Sequence, residues 1–504
     1  MTALARDRAI GVIGAGTMGA GIAQVAAAAG HRVKLLDARA GAVDDALRNM
    51  GKALDGLVAK GKIGQDKRDA ILARIEPAEA YIDFEVCDLV IEAIVEDLAV
   101  KRQLLAELEA VVGENCILGS NTSSISISAM AKDMRLPGRL VGFHFFNPAP
   151  IMALVEIVSG LATDASVAQT AFDTAAAWGK SPVHATSTPG FVVNRCARPF
   201  YAEAWRLLVE RAADPATIDA VMRECGGFRM GPCELMDMIG HDVNFAVTNS
   251  VYDSYFKDPR YAPSAMQAEM VAAGRLGRKS SRGFYDYAKG ATMPEAATEP
   301  AAAPPKQIVF EGELEHFDAL EKRAKDGGLP VHRRPAGERG DVILLDGVAL
   351  RLSDGRTATL RAAETGEREL VLHDLALDDA TATRMAIAVA DQSRGEAAAL
   401  ATAFFQGCGM KVSLIDDAPG LIVMRTLAML VNEALEAVQH GVVSAEGVDV
   451  AMTKGVNYPK GPFAWGRAVG LPHIQATLDN LARHYGEDRY RAASRLRRLV
   501  AREN

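Results

Sequence analysis

Two groups of residues in this 504-residue chain have types and spacings suited to chemistry. The first is Gly14-Ala15-Gly16-Thr17-Met18-Gly19, which follows the apolar run Ile10–Ile13 and opens a helical pattern over Ala20–Ala29. Gly14 suits a tight turn, Gly16 lets backbone come close to a pyrophosphate, and Gly19 lets the helix pack on the strand. The helix start then offers free N–H groups and the positive end of its dipole to phosphate. Asp37 closes the next apolar run, Arg32–Leu36. A carboxylate there accepts both hydroxyls of an adenosine ribose and repels a 2′-phosphate. The pattern therefore predicts a dinucleotide site that takes NAD rather than NADP. A glycine turn without a ligand is the plain alternative, and the complete strand–turn–helix–strand context counts against it.

The second group centres on His144, in the aromatic run Gly142-Phe143-His144-Phe145-Phe146-Asn147-Pro148. Twelve residues later Glu156 interrupts the apolar run Ile151–Val158. A carboxylate in an apolar strand is costly unless it has a partner. If the two strands lie side by side, that partner is His144. A glutamate bonded to one ring nitrogen fixes the tautomer and raises the basicity of the other. The pair suits dehydrogenation of an alcohol, in which the histidine takes the hydroxyl proton while carbon gives hydride to a nicotinamide. Ser123, in the run Ser120-Asn121-Thr122-Ser123-Ser124, and Asn194 are candidates to hydrogen-bond the reacting oxygen. The bland readings are a satisfied structural histidine, a serine-rich turn that only caps, and an asparagine bonded inside a helix.

These residues need elements to hold them. Residues 1–187 alternate strands and helices, which predicts a Rossmann-type, doubly wound sheet as the NAD-binding domain. The expected elements are a long helical region from Asp37 to about Leu72, a strand at Asp88–Ala93, a helix at Leu98–Val112 and a strand at Cys116–Leu118. Two further strands, Leu140–Phe146 and Ala153–Val158, are joined by a turn at Asn147–Pro150. Residues 188–288 read as an all-helical substrate or dimerisation domain, with helices at Val192–Arg211 and Pro215–Glu224. Residues 289–307, rich in Ala, Pro, Thr and Glu, read as a linker.

The second half contains a repeat at a constant offset of 230 positions. Thr188-Pro-Gly-Phe-Val-Val-Asn-Arg195 returns as Ala418-Pro-Gly-Leu-Ile-Val-Met-Arg425, Gly231-Pro232 as Gly461-Pro462, and Glu203 as Glu433. Residues 416–504 are thus a second helical domain, and 308–415 a degenerate Rossmann-like domain without the three-glycine turn. At the same offset Glu156 falls on Ala386 and Asn194 on Met424, so the second copy reads as structural.

Composition excludes several classes. A formal charge of −8 gives no footprint for nucleic acid or an anionic membrane. The arginines between Arg489 and Arg502 read as a solvated helix face. No apolar run is long enough to span a bilayer, and the charged N-terminus does not read as a signal peptide. Six cysteines without Cys-x-x-Cys spacing argue against zinc or a disulfide framework and suit a reducing cytoplasm. No metal site is expected.

Taken in order, Gly14-Ala-Gly-Thr-Met-Gly19, Ser120–Ser124, His144-Phe-Phe-Asn-Pro148 with Glu156, Thr188–Arg195, Met230-Gly-Pro232 and Gly277-Arg-Lys-Ser-Ser-Arg-Gly-Phe-Tyr285 resemble the motifs of the L-3-hydroxyacyl-CoA dehydrogenases. The resemblance covers about residues 8–288, and the repeated helical domain extends it to about 500. It implies His144 as catalytic base with Glu156 as partner, and Ser123 and Asn194 on the reacting oxygen. It also implies that Glu96, Lys101, Asn121, Ser123, Asn147 and Lys279 lie beside NAD, and that the substrate is an acyl-CoA thioester. Lys52, Lys60 and Lys62 are candidates for the CoA phosphates, a solvated helix face being the alternative. The whole layout resembles the phenylacetate-degradation members of the family, which implies 3-hydroxyadipyl-CoA as substrate. For its distal carboxylate, Arg229 is one possible cation. A short-chain 3-hydroxybutyryl-CoA enzyme and a non-catalytic, crystallin-like NAD-binding protein are the alternatives. Shorter members dimerise through their helical domains, so the second copy is expected to pack on the first as an internal pseudo-dimer, with further homo-oligomers left open.

Overall fold

In the computed structural model, which describes residues 3–312, 315–337 and 340–503, the N-terminal apolar runs form one eight-stranded sheet. Its strands are β1 (Ala9–Ile13), β2 (Val33–Leu36), β3 (Ile75–Pro77), β4 (Cys87–Glu92), β5 (Ile117–Ser120), β6 (Leu140–Phe145), β7 (Leu154–Ser159) and β8 (Ser181–Thr186). The order is β3-β2-β1-β4-β5-β6-β7-β8, and the connections change direction between β1 and β4. Open α/β sheets place ligands at such a switch point, outside the carboxyl ends of the strands. All neighbours pair in parallel except β6 and β7, which are antiparallel. The central strands are largely apolar because helices cover both faces; Ile10, Val12, Leu89 and Ile91 are fully buried.

The long helical region expected after Asp37 is instead two helices, Ala42–Ala59 and Gln65–Ala73. Gly61, at φ 64°, turns the chain between them. Lys52 therefore lies on the first helix, while Lys60 and Lys62 lie in the connection, and all three are exposed. The single helix expected over Val192–Arg211 also breaks, into Val193–Cys196 and Arg198–Val209. Pro199 opens the second segment, where its missing N–H costs nothing.

A second, seven-stranded sheet contains β9 (Ile308–Glu311), β10 (Val331–Arg334), β11 (Val342–Leu345), β12 (Val348–Leu352), β13 (Leu370–His373), β14 (Arg384–Val389) and β15 (Lys411–Leu414), in the order β10-β9-β11-β12-β13-β14-β15. From β12 to β15 the pairing runs parallel, antiparallel, parallel, which repeats β5 to β8. Earlier in this part the repeat fails: an antiparallel hairpin, β11–β12, takes the place of parallel crossovers.

The chain divides into two compact units, Met1–Arg195 with Ala437–Val456, and Cys196–Glu436 with Asn457–Asn504. In the first unit the Ala445–Gly455 helix lies against β7 and β8, and the Thr186 N–H donates to the Val442 carbonyl at 2.9 Å. In the second unit the Pro215–Glu224 helix lies against β14, and the Leu377 and Thr383 N–H groups donate to the carbonyls of Cys225 and Glu224 at 2.9 and 3.0 Å. These two helices are the same element of the repeat, 230 positions apart.

Within the second unit the segment read as a linker is anchored. The Ala297 N–H donates to Thr217 Oγ1 at 2.9 Å, and the Glu299 N–H to the Val412 carbonyl at 2.8 Å. The helical stretches of the two repeats meet in the same unit: Arg425 donates to Glu203 at 2.7 Å, Tyr261 donates to Glu433 at 2.7 Å, and Phe228 packs on Tyr458 and Trp465. The reading of Arg489–Arg502 as mostly a solvated helix face holds for Arg495, Arg497, Arg498 and Arg502, which are exposed on the Ser494–Glu503 helix. It fails at Arg489, which is buried and donates to the Ala262 carbonyl, while Arg491 pairs with Asp258 at 2.7 Å.

All six cysteines are free and buried. Among the described residues no helix is long and apolar enough to cross a membrane, and no cluster of His, Cys, Asp and Glu could hold a metal ion.

Candidate active site

The glycine turn joins β1 to the Thr17–Ala29 helix, whose first turn carries no acidic residue and no side-chain cap. Each glycine meets a different steric demand. Gly14 has φ 101°, and a Cβ there would run into the Ala93 carbonyl; a Cβ on Gly19 would overlap the Gly14 carbonyl oxygen. Gly16 has nothing within 4 Å of where its Cβ would stand. Its bare backbone borders a cavity of about 780 Å³, also lined by Gly14, Asp37, Tyr81, Ile94 and Gln103. That open cradle at the ends of β1, β2 and β4 fits a dinucleotide. Asp37 follows β2, accepts from the Ala15 N–H at 2.6 Å and from the Arg39 N–H at 2.8 Å, and so is tied to the glycine turn.

A buried polar cluster organises the next two strand ends. Glu92, the last residue of β4, is 1% exposed and accepts from Lys101 Nζ at 2.7 and 2.8 Å, from Ser120 Oγ and from the Ile94 N–H. Lys101, from the Leu98–Glu109 helix, is itself 1% exposed and reaches Glu96 at 3.5 Å. Glu96 then accepts from Thr122 Oγ1, from the Ser123 and Ser124 N–H groups and from Ser124 Oγ. Burial opposes ionisation of Glu96, but Thr122, Lys101 and the serine turn hold its carboxyl below the ordinary value. The serine turn is therefore positioned by acids on the neighbouring strand end. Asn121 adds a bond from the Phe145 N–H to its Oδ1 at 2.8 Å, which locks β5 to the end of β6.

His144 and Glu156 sit directly opposite each other in the antiparallel β6–β7 pair. His144 Nδ1 is 2.7 Å from Glu156 Oε2, and both side chains are buried. The other glutamate oxygen accepts from the Val192 and Val193 N–H groups at 3.2 and 2.9 Å. One carboxylate thus orients the imidazole and also holds the turn that leads into Asn194. The imidazole lies between the rings of Phe146 and Phe191, whose centroids are 4.6 and 5.8 Å away. Ser123 and Asn194 are half-buried at the end of β5 and on the Val193–Cys196 helix, in the same unit, and Asn147 is exposed just after β6. Lys279 and Arg229 belong to the other unit, where Lys279 pairs with Asp242 at 2.5 Å and Arg229 is exposed.

Two residues of this site and one at the equivalent place in the second sheet were not singled out from sequence. Glu92 carries the same signal as Glu156, an acid in an apolar strand. Lys180 gives none: its ammonium donates to the Ala149 and Met152 carbonyls at 2.5 and 2.8 Å, holding the β6–β7 loop, and burial lowers its pKa. The third, Asp374, stands 230 positions from His144. It faces Ala386, the counterpart of Glu156, across β13 and β14, and its carboxylate accepts from the Ile422, Val423 and Met424 N–H groups at 2.7–2.9 Å. Burial pushes Asp374 up to about 6 despite those bonds. In the second copy, a carboxylate in the histidine's place does the turn-holding work of Glu156, and the histidine–glutamate pair is gone.

A nucleotide cradle at the switch point, an acid at the end of β2 and a buried histidine–carboxylate pair on the adjoining strands suit an NAD-dependent dehydrogenase. The sequence pattern of the 3-hydroxyacyl-CoA dehydrogenase NAD-binding domain matches residues 9–188, that of the family's C-terminal domain matches 190–287 and 420–504, and that of the 3-hydroxybutyryl-CoA dehydrogenase reduced Rossmann-fold domain matches 350–419. The chain belongs to the 3-hydroxyacyl-CoA dehydrogenase family. It is 42% identical over 495 residues, 98% of each chain, to a 3-hydroxyadipyl-CoA dehydrogenase of Escherichia coli (strain K12). It is 40% identical over 280 residues to a 3-hydroxybutyryl-CoA dehydrogenase of Clostridioides difficile, covering 56% of this chain and 99% of that one. Among solved structures, one described as 3-hydroxybutyryl-CoA dehydrogenase from Escherichia coli K12 superposes with a TM-score of 0.89 at 41% identity over 98% of both chains. The cofactor is NAD, and the reaction is oxidation of a 3-hydroxyacyl-CoA to the 3-oxoacyl-CoA.

Proposed function

We propose that this dehydrogenase acts on 3-hydroxyadipyl-CoA, in the cytoplasm and in the breakdown of phenylacetate. The observation that carries the substrate is the 42% identity to a 3-hydroxyadipyl-CoA dehydrogenase over 98% of both chains, degenerate half included. His144 takes the hydroxyl proton of the substrate on the ring nitrogen opposite Glu156, and Glu156 stabilises the resulting imidazolium. Ser123 and Asn194 hydrogen-bond the oxygen on which charge develops. NAD, when bound, supplies the hydride acceptor. Gly14, Ala15, Gly16, Thr17, Met18, Gly19 and Asp37 hold its adenosine diphosphate part, with Glu96, Lys101, Asn121, Ser123, Asn147 and Lys279 as the remaining cofactor contacts. The exposed Lys52, Lys60 and Lys62 are assigned to the CoA phosphates.

The competing reading is a 3-hydroxybutyryl-CoA enzyme, the activity in the description of the structure with a TM-score of 0.89. Initial rates of NADH formation with the two thioesters side by side separate them. A kcat/KM that favours the dicarboxylyl substrate is expected; an equal or opposite preference overturns the substrate, and no activity with either favours the crystallin-like alternative.

Cofactor choice has its own test. Asp37→Ala removes the acid that faces the ribose and also loosens the Ala15 N–H. Charge-assisted hydrogen bonds contribute about 1.5–3 kcal/mol, so NAD affinity is expected to fall by roughly 10–100-fold while NADP becomes a better competitor. An unchanged NAD-to-NADP preference in direct titrations removes Asp37 from the ribose.

We further propose that the two repeats form an internal pseudo-dimer, on the division 1–187, 188–288, 289–307, 308–415 and 416–504. Support comes from the contacts of Glu203 and Glu433 with the opposite repeat, and from the two equivalent helices that each cover a sheet of the other repeat. Gly455 of the Ala445–Gly455 helix lies so close to Leu154 of β7 that a Cβ would overlap it. Gly455→Leu is therefore expected to cost about 1–3 kcal/mol through overpacking and to lower kcat, since Leu154 is two positions from Glu156. Thermal denaturation and steady-state rates check both effects; a normal kcat means that the second repeat does not support the catalytic strand.

A further inference from the structure

The helical part of the second unit encloses a cavity of about 440 Å³ that none of the residues discussed above as cofactor or proton-transfer groups lines. Its wall includes successive turns of the Arg198–Val209 helix, through Arg198, Tyr201 and Trp205, with Arg489 from the end of the chain. The volume suits a small organic molecule. Most of the charged groups in this wall are already matched. Arg206 pairs with Glu487 at 2.7 Å, and Glu210 accepts from Arg425 and from Tyr485 Oη.

Arg198 is the exception. It is 6% exposed, and among the described residues no carboxylate pairs with it. One guanidinium nitrogen, Nη1, donates to Thr248 Oγ1 at 3.1 Å; Nε is sealed in without a partner, and Nη2 makes no hydrogen bond to the protein. Its compensation from the protein is the Tyr201 ring, 4.8 Å from the guanidinium carbon. A ring face offsets much less than the cost of taking a full charge out of water. Nearby, the buried Trp205 Nε1 also lacks an acceptor, and Tyr201 lines the cavity beside it. The outer face of the guanidinium, Nη2 with the second hydrogen of Nη1, stays unpaired against mostly apolar walls, and what it lacks is an anion with an apolar body.

We propose that this cavity binds a small organic carboxylate, its carboxylate on the Arg198 fork and its apolar body against Tyr201, Trp205 and Pro259. A planar guanidinium matches a carboxylate through two parallel N–H bonds, which sets orientation as well as charge. The apolar lining disfavours inorganic phosphate, which would leave its remaining oxygens without donors.

The test uses the full-length protein and probes of stated chemistry: phenylacetate and hexanoate, their neutral amides, and inorganic phosphate. Ligand that binds only the folded state raises the melting temperature by an amount that grows with the logarithm of its concentration above Kd, and the part of the tryptophan fluorescence lost in a Trp205→Phe control reports occupancy. The expected result is a saturable fluorescence change and a melting temperature that rises with concentration for the two carboxylates, and neither for the amides. Arg198→Met keeps the bulk of the side chain, and its affinity for the carboxylates is expected to fall by about tenfold or more. Its melting temperature without ligand is expected to stay level or rise, because an uncompensated charge has gone. Ala202→Leu, which fills the cavity from the same helix and leaves Arg198 in place, is expected to abolish the shift. The proposal is overturned if neither carboxylate binds at millimolar concentration, if the amides bind as well, if phosphate binds better than both carboxylates, or if both variants bind as the wild type does. None of these readouts depends on turnover, so they stand apart from the test of the substrate.

Discussion

Replacing His144 with glutamine is expected to lower kcat by about 10²–10⁴-fold, the usual contribution of a positioned general acid–base group, while the dissociation constant for NADH stays within a small factor of wild type. The separation follows from the sheet. The groups assigned to adenosine diphosphate sit at the ends of β1, β2 and β4, whereas His144 is on β6, paired across to Glu156 on β7. Glutamine can keep a hydrogen bond to Glu156, so the turn held by the Val192 and Val193 N–H groups should survive. What it cannot do is take a proton. Glu156→Gln should lower kcat as well, by removing the charge that stabilises the imidazolium, and the double variant should be little worse than His144→Gln alone, because the two residues act as a unit. Stopped-flow measurement of the hydride-transfer step, with NADH titration on each variant, gives both numbers. Near-normal turnover in His144→Gln would take the histidine out of the reaction and return it to the role of a satisfied core residue.

The parts of the site visible from sequence are those whose cause is local. Gly19 can be read because a Cβ there would meet the Gly14 carbonyl five residues back, and Gly14 because the turn holds it at φ 101°, where other side chains are strained. Glu156 can be read because an acid is conspicuous in an apolar strand, and the same logic applied to Glu92 would have found it. The antiparallel direction of β7 and the register that sets His144 opposite Glu156 are a matter of pairing between strands, which local pattern does not encode. Lys180 has no signature, since its two acceptors are backbone carbonyls in a loop. The repeat of 230 positions was legible because it is gapless from 188 onward. Its packing was not: which sheet the Pro215–Glu224 and Ala445–Gly455 helices cover depends on contacts far apart in the chain. Arg489 was misread for the same reason. A run of arginines looks solvated until the Ala262 carbonyl comes to one of them from another element.

Lys101→Met should cause the largest loss of stability of any single change near the cofactor site, about 3–5 kcal/mol, the range for breaking a buried ion pair from one side. Glu92 would then be an anion at 1% exposure, left with Ser120 Oγ and the Ile94 N–H in place of an ammonium bonded to both of its oxygens. The double variant Glu92→Gln/Lys101→Met removes both charges and should recover most of that loss in chemical denaturation. Cofactor binding in the double variant then decides what Lys101 is for. The family resemblance puts it beside NAD, yet its ammonium is enclosed by Glu92 and by Glu96 at 3.5 Å. If Lys101 acts by neutralising the buried Glu92, a stable double variant should regain much of its NADH affinity, since Glu96 keeps its bonds to Thr122 and Ser124. If instead it reaches the cofactor, stability will return without affinity. The two readings diverge only in the double variant, because in the single one a weakened fold and a lost contact both raise the dissociation constant.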